Sequence, residues 1–374
     1  MTFNDRSFAL AQLGYLPVIT AVALVLPGAG MMPLLLAMTG SWIITVLCYQ
    51  ASSKRNSVGW WTLLIMQTVL ASASAAACHR NPEHSIVALA VNTTLTGIAV
   101  IATASLADRL LADFGSHSPA IHNRAMIITA ATLPFISAAA TATPYPALYA
   151  GMALTGYGMT SLQRQTDDRK TSARLWGAFA AGITLIAIAD LRFCAATAIG
   201  ISCMLPWKKG SAYMRGAWMT AFVAAAWIAG NIIDPTAGEL PTPASLSAMR
   251  LLSIPVDIIT LYLAPLPWDN AVGATAVTWY ATGALIIYFG IKVWRSSSGA
   301  VQRLSACGAI LWIATACFFG GDCWRQAFAF LPWMIPGAVA AIGAISADKR
   351  HFRKYAVLYA IGVAIALAFI YYHR

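Results

Sequence analysis

The stretch FFGGDCWRQAFAFLPWMIPG, residues 318–337, sets an Asp, a Cys, a Trp and an Arg between two apolar runs. Asp322 and Arg325 stand three residues apart. If the turn between them is helical they share one face and can pair with each other. Arg325 can also do something else. A guanidinium presents a planar fork of donors that grips a phosphate or carboxylate through two bonds at once. Which chemistry is open to this pair depends on the elements around it and on the side of a membrane it faces.

The chain has 374 residues, 59% of them hydrophobic and 10% charged, where a soluble domain carries about 25% charged residues. The deficit runs the whole length, and the runs are long, continuous and rich in Ala, Leu and Ile. The expected fold is all-α: a polytopic transmembrane helical bundle forming a single integral membrane domain over 1–374. A transmembrane barrel would show ten-residue segments of alternating polarity instead. MTFNDR leads straight into the first apolar run, so no removable signal is expected. The net charge of +11 reads as a signal for orientation and for anionic lipid, with no nucleic acid as partner. The seven Cys form no CxxC pair, so neither a metal site nor a disulfide framework is expected.

Apolar runs near 10–27, 31–49, 58–77, 85–106, 125–142, 146–162, 175–189, 193–206, 214–233, 273–293, 304–320, 327–346 and 355–372 predict about thirteen spans of roughly 20 residues each. A further run, LLSIPVDIITLYLAPLPW at 251–268, holds Asp257 and three prolines. With the N-terminus cytoplasmic and 251–268 not crossing, 19 of the 24 basic residues fall inside and 5 outside. If 251–268 crosses, every later loop changes side and the split becomes 14 against 10. The positive-inside rule selects the first arrangement. The expectation is therefore a multi-pass inner-membrane protein with an outward-facing segment at 234–272. Within it 251–268 is an interfacial or re-entrant element, interrupted by Pro255, Pro265 and Pro267.

The outer side then holds Glu83, Asp190, Asp234, Glu239, Asp257, Asp269 and Asp322, and its cations are all arginines: Arg80, Arg192, Arg250, Arg325 and Arg374. The competing reading makes these interfacial caps and anchors, with Asp190 and Arg192 in ADLRF pairing to close a tight helical hairpin. The inner QRQTDDRKTSAR loop (163–174) reads as solvated charge. His117 and His122 lack acid or Cys partners at ligand spacing, and His79 and His84 do not argue a zinc site. P-loop, GxSxG, HExxH and dinucleotide motifs do not occur. Carboxylates in mid-span, which a proton- or ion-coupled pump needs, are scarce.

Two pieces of the C-terminal third carry a resemblance. YLAPLPWDN (262–270) is similar to the Pro-x-Pro-Trp outer-loop element of bacterial polysaccharide-assembly membrane proteins, where a WY pair follows, here Trp279 and Tyr280. WRQAFAFLPWMIP (324–336) resembles their Arg-rich approach to a P-x-x-P helix, with Arg325 in place, Pro332 and Pro336 spaced one residue wider (P-W-M-I-P), and Gln326 where a second Arg is usual. The chain thus resembles O-antigen polymerase-like proteins and lipid-linked integral-membrane glycosyltransferases. The latter tend to carry an acid in the first outer loop, and PGAGMM has none, which favours the polymerase-like reading.

The resemblance implies a substrate glycan on polyprenyl pyrophosphate, alongside membrane lipid as partner, with no cofactor and no metal. Arg250 and Arg325, with Arg192, would hold the pyrophosphate and make it a better leaving group. Asp257, Asp269 and Asp322 would serve as general bases toward the acceptor hydroxyl. Trp268 and Trp324 would form a platform under a sugar ring. The alternatives are a multispan transporter or flippase, with a second cluster facing inward, and a non-enzymatic membrane component of a secretion or conjugation apparatus.

Overall fold

The computed structural model describes residues 86–111, 144–163, 169–206, 210–238, 248–263, 299–319 and 323–346, with positions 283 and 287. The chain is all-helical there, and no strand occurs among the described residues. The helices are α1 (Ile86–Leu111), α2 (Tyr145–Met159), α3 (Arg169–Ala189), α4 (Phe193–Met204), α5 (Gly210–Ile233), α6 (Ala248–Leu263), α7 (Ala300–Phe319), α8 (Trp324–Ala327) and α9 (Leu331–Ser346). Short 3-10 turns extend α2 (Thr160–Leu162) and join α8 to α9 (Phe328–Phe330).

Prolines set several boundaries. α2 begins behind Pro144 with Pro146 in its first turn, where a missing N–H costs nothing. α4 stops at Leu205, whose extended backbone (φ −64°, ψ 127°) is what a following proline, Pro206, imposes. α6 corrects the sequence expectation. It starts at Ala248 and runs unbroken through Pro255 to Leu263, so Pro255 removes one hydrogen bond without ending the helix. Its ring is exposed, so no neighbouring element is displaced. At 16 residues the helix is about 24 Å long, short of the ~30 Å hydrocarbon core. It packs against α7 and α8. Pro265, Pro267 and Trp268 lie outside the described residues.

The expectation of about thirteen spans is met only in part. Among the described residues two helices are long and apolar enough to cross a membrane, Thr171–Ala189 and Gly210–Ile233. Phe193–Met204, Ser253–Leu263 and Ala300–Thr315 are apolar but shorter. The runs at 10–27, 31–49, 58–77, 125–142 and 355–372 lie outside the described residues, as does nearly all of 273–293. The tight joint between 189 and 193 is real: α3 and α4 are separate helices connected by three residues.

α2 lies at the centre, against α1 and α3. Glycines allow its backbone to touch α3. A Cβ on Gly182 would come 2.8 Å from the Gly151 carbonyl oxygen, and one on Gly158 would come 2.8 Å from the Leu175 carbonyl oxygen. Small residues at such crossings let helix backbones approach closely. Trp333 of α9 fills the middle. Its indole N–H donates to the Met152 carbonyl at 2.8 Å, and its ring occupies a slot formed by Gly156 and Gly200. Tyr149, Phe179 and Phe328 are also fully buried, and Phe193 stacks on Phe330 with ring centroids 5.3 Å apart.

The two ends of this bundle are distinct. Arg109 donates to the Thr160 hydroxyl at 2.9 Å, which puts the C-terminal ends of α1 and α2 together. Arg303, at the start of α7, reaches Gln163 and the Leu205 carbonyl. The opposite end gathers Tyr145, the 190–192 turn and α8.

Candidate functional site

The end that carries α8 brings together part of what the sequence singled out. The α3–α4 turn is closed by Asp190. Its Oδ1 accepts from the Arg192 backbone N–H at 3.1 Å and from Arg192 Nε at 2.8 Å, and its Oδ2 accepts from Nη2 at 2.7 Å. The Asp190 hydrogen bond holds the Arg192 guanidinium's proton more firmly than usual, against the opposing effect of partial burial. The hairpin-closing role is therefore filled, and Arg192 spends one edge of its fork, Nε and Nη2, on its own turn. Asp190→Asn is expected to lower the thermal stability of the purified protein by about 1–3 kcal/mol, because the pair is mostly covered, with Arg192 30% and Asp190 12% exposed, and a hydrogen bond to a charged group is lost. A melt at low and high salt checks this: the difference between the two proteins should shrink only slightly in high salt, since a covered pair is little screened.

Arg325 is placed differently. It sits on α8, a single helical turn. Its guanidinium carbon lies 5.0 Å from the centroid of the Trp324 ring and 5.8 Å from that of Tyr145. Each such contact is worth about 0.5–1 kcal/mol when exposed and about 2 when desolvated. The Arg325 carbonyl accepts from the Tyr149 hydroxyl at 2.8 Å, so α2 fixes the backbone of α8 directly. Trp324 packs edge-on against Phe328, centroids 6.0 Å apart. Arg325 is thus held by its backbone and its aromatic neighbours, and no carboxylate pairs with it among the described residues. Arg192, Asp190 and Cys323 also lie within electrostatic reach of the Tyr145 phenol.

An open pocket of about 310 Å³ lies beside this group, lined by residues 187–192 with Thr236 and Ala237. Its far wall is the turn after α5. There Asp234 accepts from the Thr236 hydroxyl at 2.8 Å and from its backbone N–H at 3.0 Å. The hydroxyl bond, then the backbone bond, hold the Asp234 carboxyl below the ordinary range, so it is an anion at neutral pH.

Of the other sequence candidates, Asp257 lies on α6 and accepts from the Ser253 hydroxyl one turn earlier at 3.2 Å. α6 touches α8, the element that carries Arg325. Arg250 also lies on α6. Asp269, Asp322 and Trp268 are outside the described residues, so the Asp322–Arg325 pairing is outside them too. Sequence reasoning passed over Tyr145 and Tyr149. The signal was in PYPALY, residues 144–149, where two tyrosines four apart open a helix behind a proline. Four apart means one above the other on the same face, so both meet the same neighbour.

Comparison with family models, with curated proteins and with solved structures finds no match to this chain. The described residues hold no group of three or more His, Cys, Asp or Glu that could bind a metal ion.

Proposed function

We propose that the chain is a multi-pass inner-membrane protein of about thirteen spans, with a cytoplasmic N-terminus. Its outer end would bind glycans carried on polyprenyl pyrophosphate and polymerise or transfer them. The observation that carries this reading is Arg325, anchored by α2, stacked on two aromatic rings and free of a carboxylate among the described residues. An arginine fixed in this way keeps its fork for an anion, and the rings beside it suit the apolar face of a sugar.

In the transfer the acceptor hydroxyl oxygen bonds to the anomeric carbon of the donor glycan. The bond from that carbon to the pyrophosphate oxygen breaks, and the carrier leaves as its pyrophosphate. The hydroxyl proton passes to a carboxylate. Arg325 offsets charge that grows on the leaving oxygen. Asp257 is the base whose helix touches α8; Asp269 and Asp322 remain bases by resemblance. Arg250 assists Arg325, and Arg192 acts through the hairpin.

The membrane placement has its own support. Most of the apolar window of α5 is uncovered by the rest of the chain, and Trp218 and Ile233 on it are 65% and 87% exposed. Such an apolar helix face is one that lipid would solvate. A cysteine placed at Ser297 is expected to react with a membrane-impermeant reagent only from the cytoplasmic side, and one at Thr242 only from outside. The reverse pattern would dismantle the outer cluster.

A deletion strain tests the function. Its surface polysaccharide, separated by length on a gel, should lose long chains and accumulate single repeat units. An unchanged ladder would leave transport or a structural role in a secretion or conjugation apparatus.

A further inference from the structure

The end of the bundle opposite Arg325 carries a second basic cluster, and its arginines are poorly satisfied. Arg303 makes two long contacts, 3.4 Å to the Leu205 carbonyl and 3.5 Å to Gln163 Oε1, beyond the 2.7–3.2 Å of an ordinary hydrogen bond to oxygen. Its Nε is buried and has no partner. Arg215, one turn into α5, also buries its Nε without a partner, and so does the Ser161 hydroxyl. These groups lie together. α5 packs on the Thr160–Leu162 turn, and Gly216, next to Arg215, sits against the side chain of Leu205. Arg109 reaches the same turn through Thr160.

Buried donors without acceptors are costly, and each such group in a folded protein needs an explanation. Two guanidinium edges and a hydroxyl around one turn call for an anion with several acceptor oxygens. Asp108 is the one carboxylate among the described residues of these helix ends, and it sits beside Arg109. Tyr213, Met214 and Trp218, on either side of Arg215, are exposed apolar side chains. A ligand bridging them has a phosphate at one end and acyl chain at the other.

We propose that Arg215 and Arg303, with Ser161 and Arg109, form a site for the phosphodiester headgroup of an anionic phospholipid on the cytoplasmic side. Acyl chains of this lipid lie along the exposed face of α5. The proposal rests on the membrane placement but not on the glycan chemistry, which uses the other end of the molecule.

The test uses the full-length protein purified in detergent. Native mass spectrometry would follow binding of phosphatidylglycerol, phosphatidylcholine and inorganic phosphate. Phosphatidylglycerol should bind the unaltered chain in preference to phosphatidylcholine. Arg303→Gln and the double variant R215Q/R303Q should weaken it by about tenfold or more, the scale of losing one charged bidentate contact. Arg174→Gln, on an exposed residue at the same end, should leave it unchanged. Equal binding of the two lipids to the unaltered chain would overturn the proposal without needing any variant to fold. So would equal weakening by Arg174→Gln. Displacement of the lipid by millimolar inorganic phosphate would make a free phosphate the ligand and overturn the lipid assignment. Recovery of the chain in the soluble fraction of cells would instead remove the membrane placement itself.

Discussion

Arg325→Lys is expected to leave the protein inserted at its normal level and to abolish the polymer. Lysine keeps the charge and can still lie near the Tyr145 and Trp324 rings. It loses the planar fork that engages two phosphate oxygens together. The fold should tolerate the change because the contact from Tyr149 is to the Arg325 backbone carbonyl, which every residue has. A surface role would give the opposite result, with Lys close to wild type. The measurements are the protein level in membranes and the length distribution of the surface polysaccharide. Normal polymer in both Arg325→Lys and Arg325→Ala would remove Arg325 from the site, and with it the main support for a polymerase.

Trp333→Ala is expected to cost about 3–5 kcal/mol, the range for deleting a large buried aromatic. The indole is fully buried and packed against glycines of two helices, so the hole left behind cannot close by a small shift. Trp333→Phe separates the causes. It keeps most of the ring and removes the indole N–H donor to the Met152 carbonyl, which still accepts from the Thr155 hydroxyl at 3.0 Å, so the polar loss is that of one hydrogen bond, about 0.5–1.5 kcal/mol. Gly200→Val should be as harmful as Trp333→Ala, since a Cβ there would lie 2.5 Å from the indole ring. The midpoint of heat-induced aggregation in detergent, read by size-exclusion fluorescence, orders the three. A Trp333→Ala protein melting within a degree or two of wild type would contradict the packing described.

Helices over 85–106, 146–162, 175–189, 193–206, 214–233 and 304–320 were legible because each is an unbroken apolar run bounded by polar residues, prolines or glycines. Its ends were less legible. α3 begins at Arg169, inside a charged stretch that reads as loop, because charged residues continue a helix as well as apolar ones do. Pro255 misled for a related reason: a proline weakens a helix by one hydrogen bond, yet with its ring exposed the helix runs on past it. The Asp190–Arg192 pair was readable from spacing alone. The meeting of Tyr145, Tyr149 and Arg325 was not, since it joins residues about 180 positions apart and no local pattern encodes that.

The Trp333 slot bears on what kind of machine the bundle can be. A carrier must let cargo pass from one face to the other, so its centre has to open and close in turn. Here the centre is plugged by an indole whose N–H is tied to the backbone of α2 and whose ring fits between two glycines. Opening a passage through these helices would mean withdrawing that plug in every cycle, at several kcal/mol each time. The described bundle is better suited to stand still as a plinth that holds the side chains of its two rims in place.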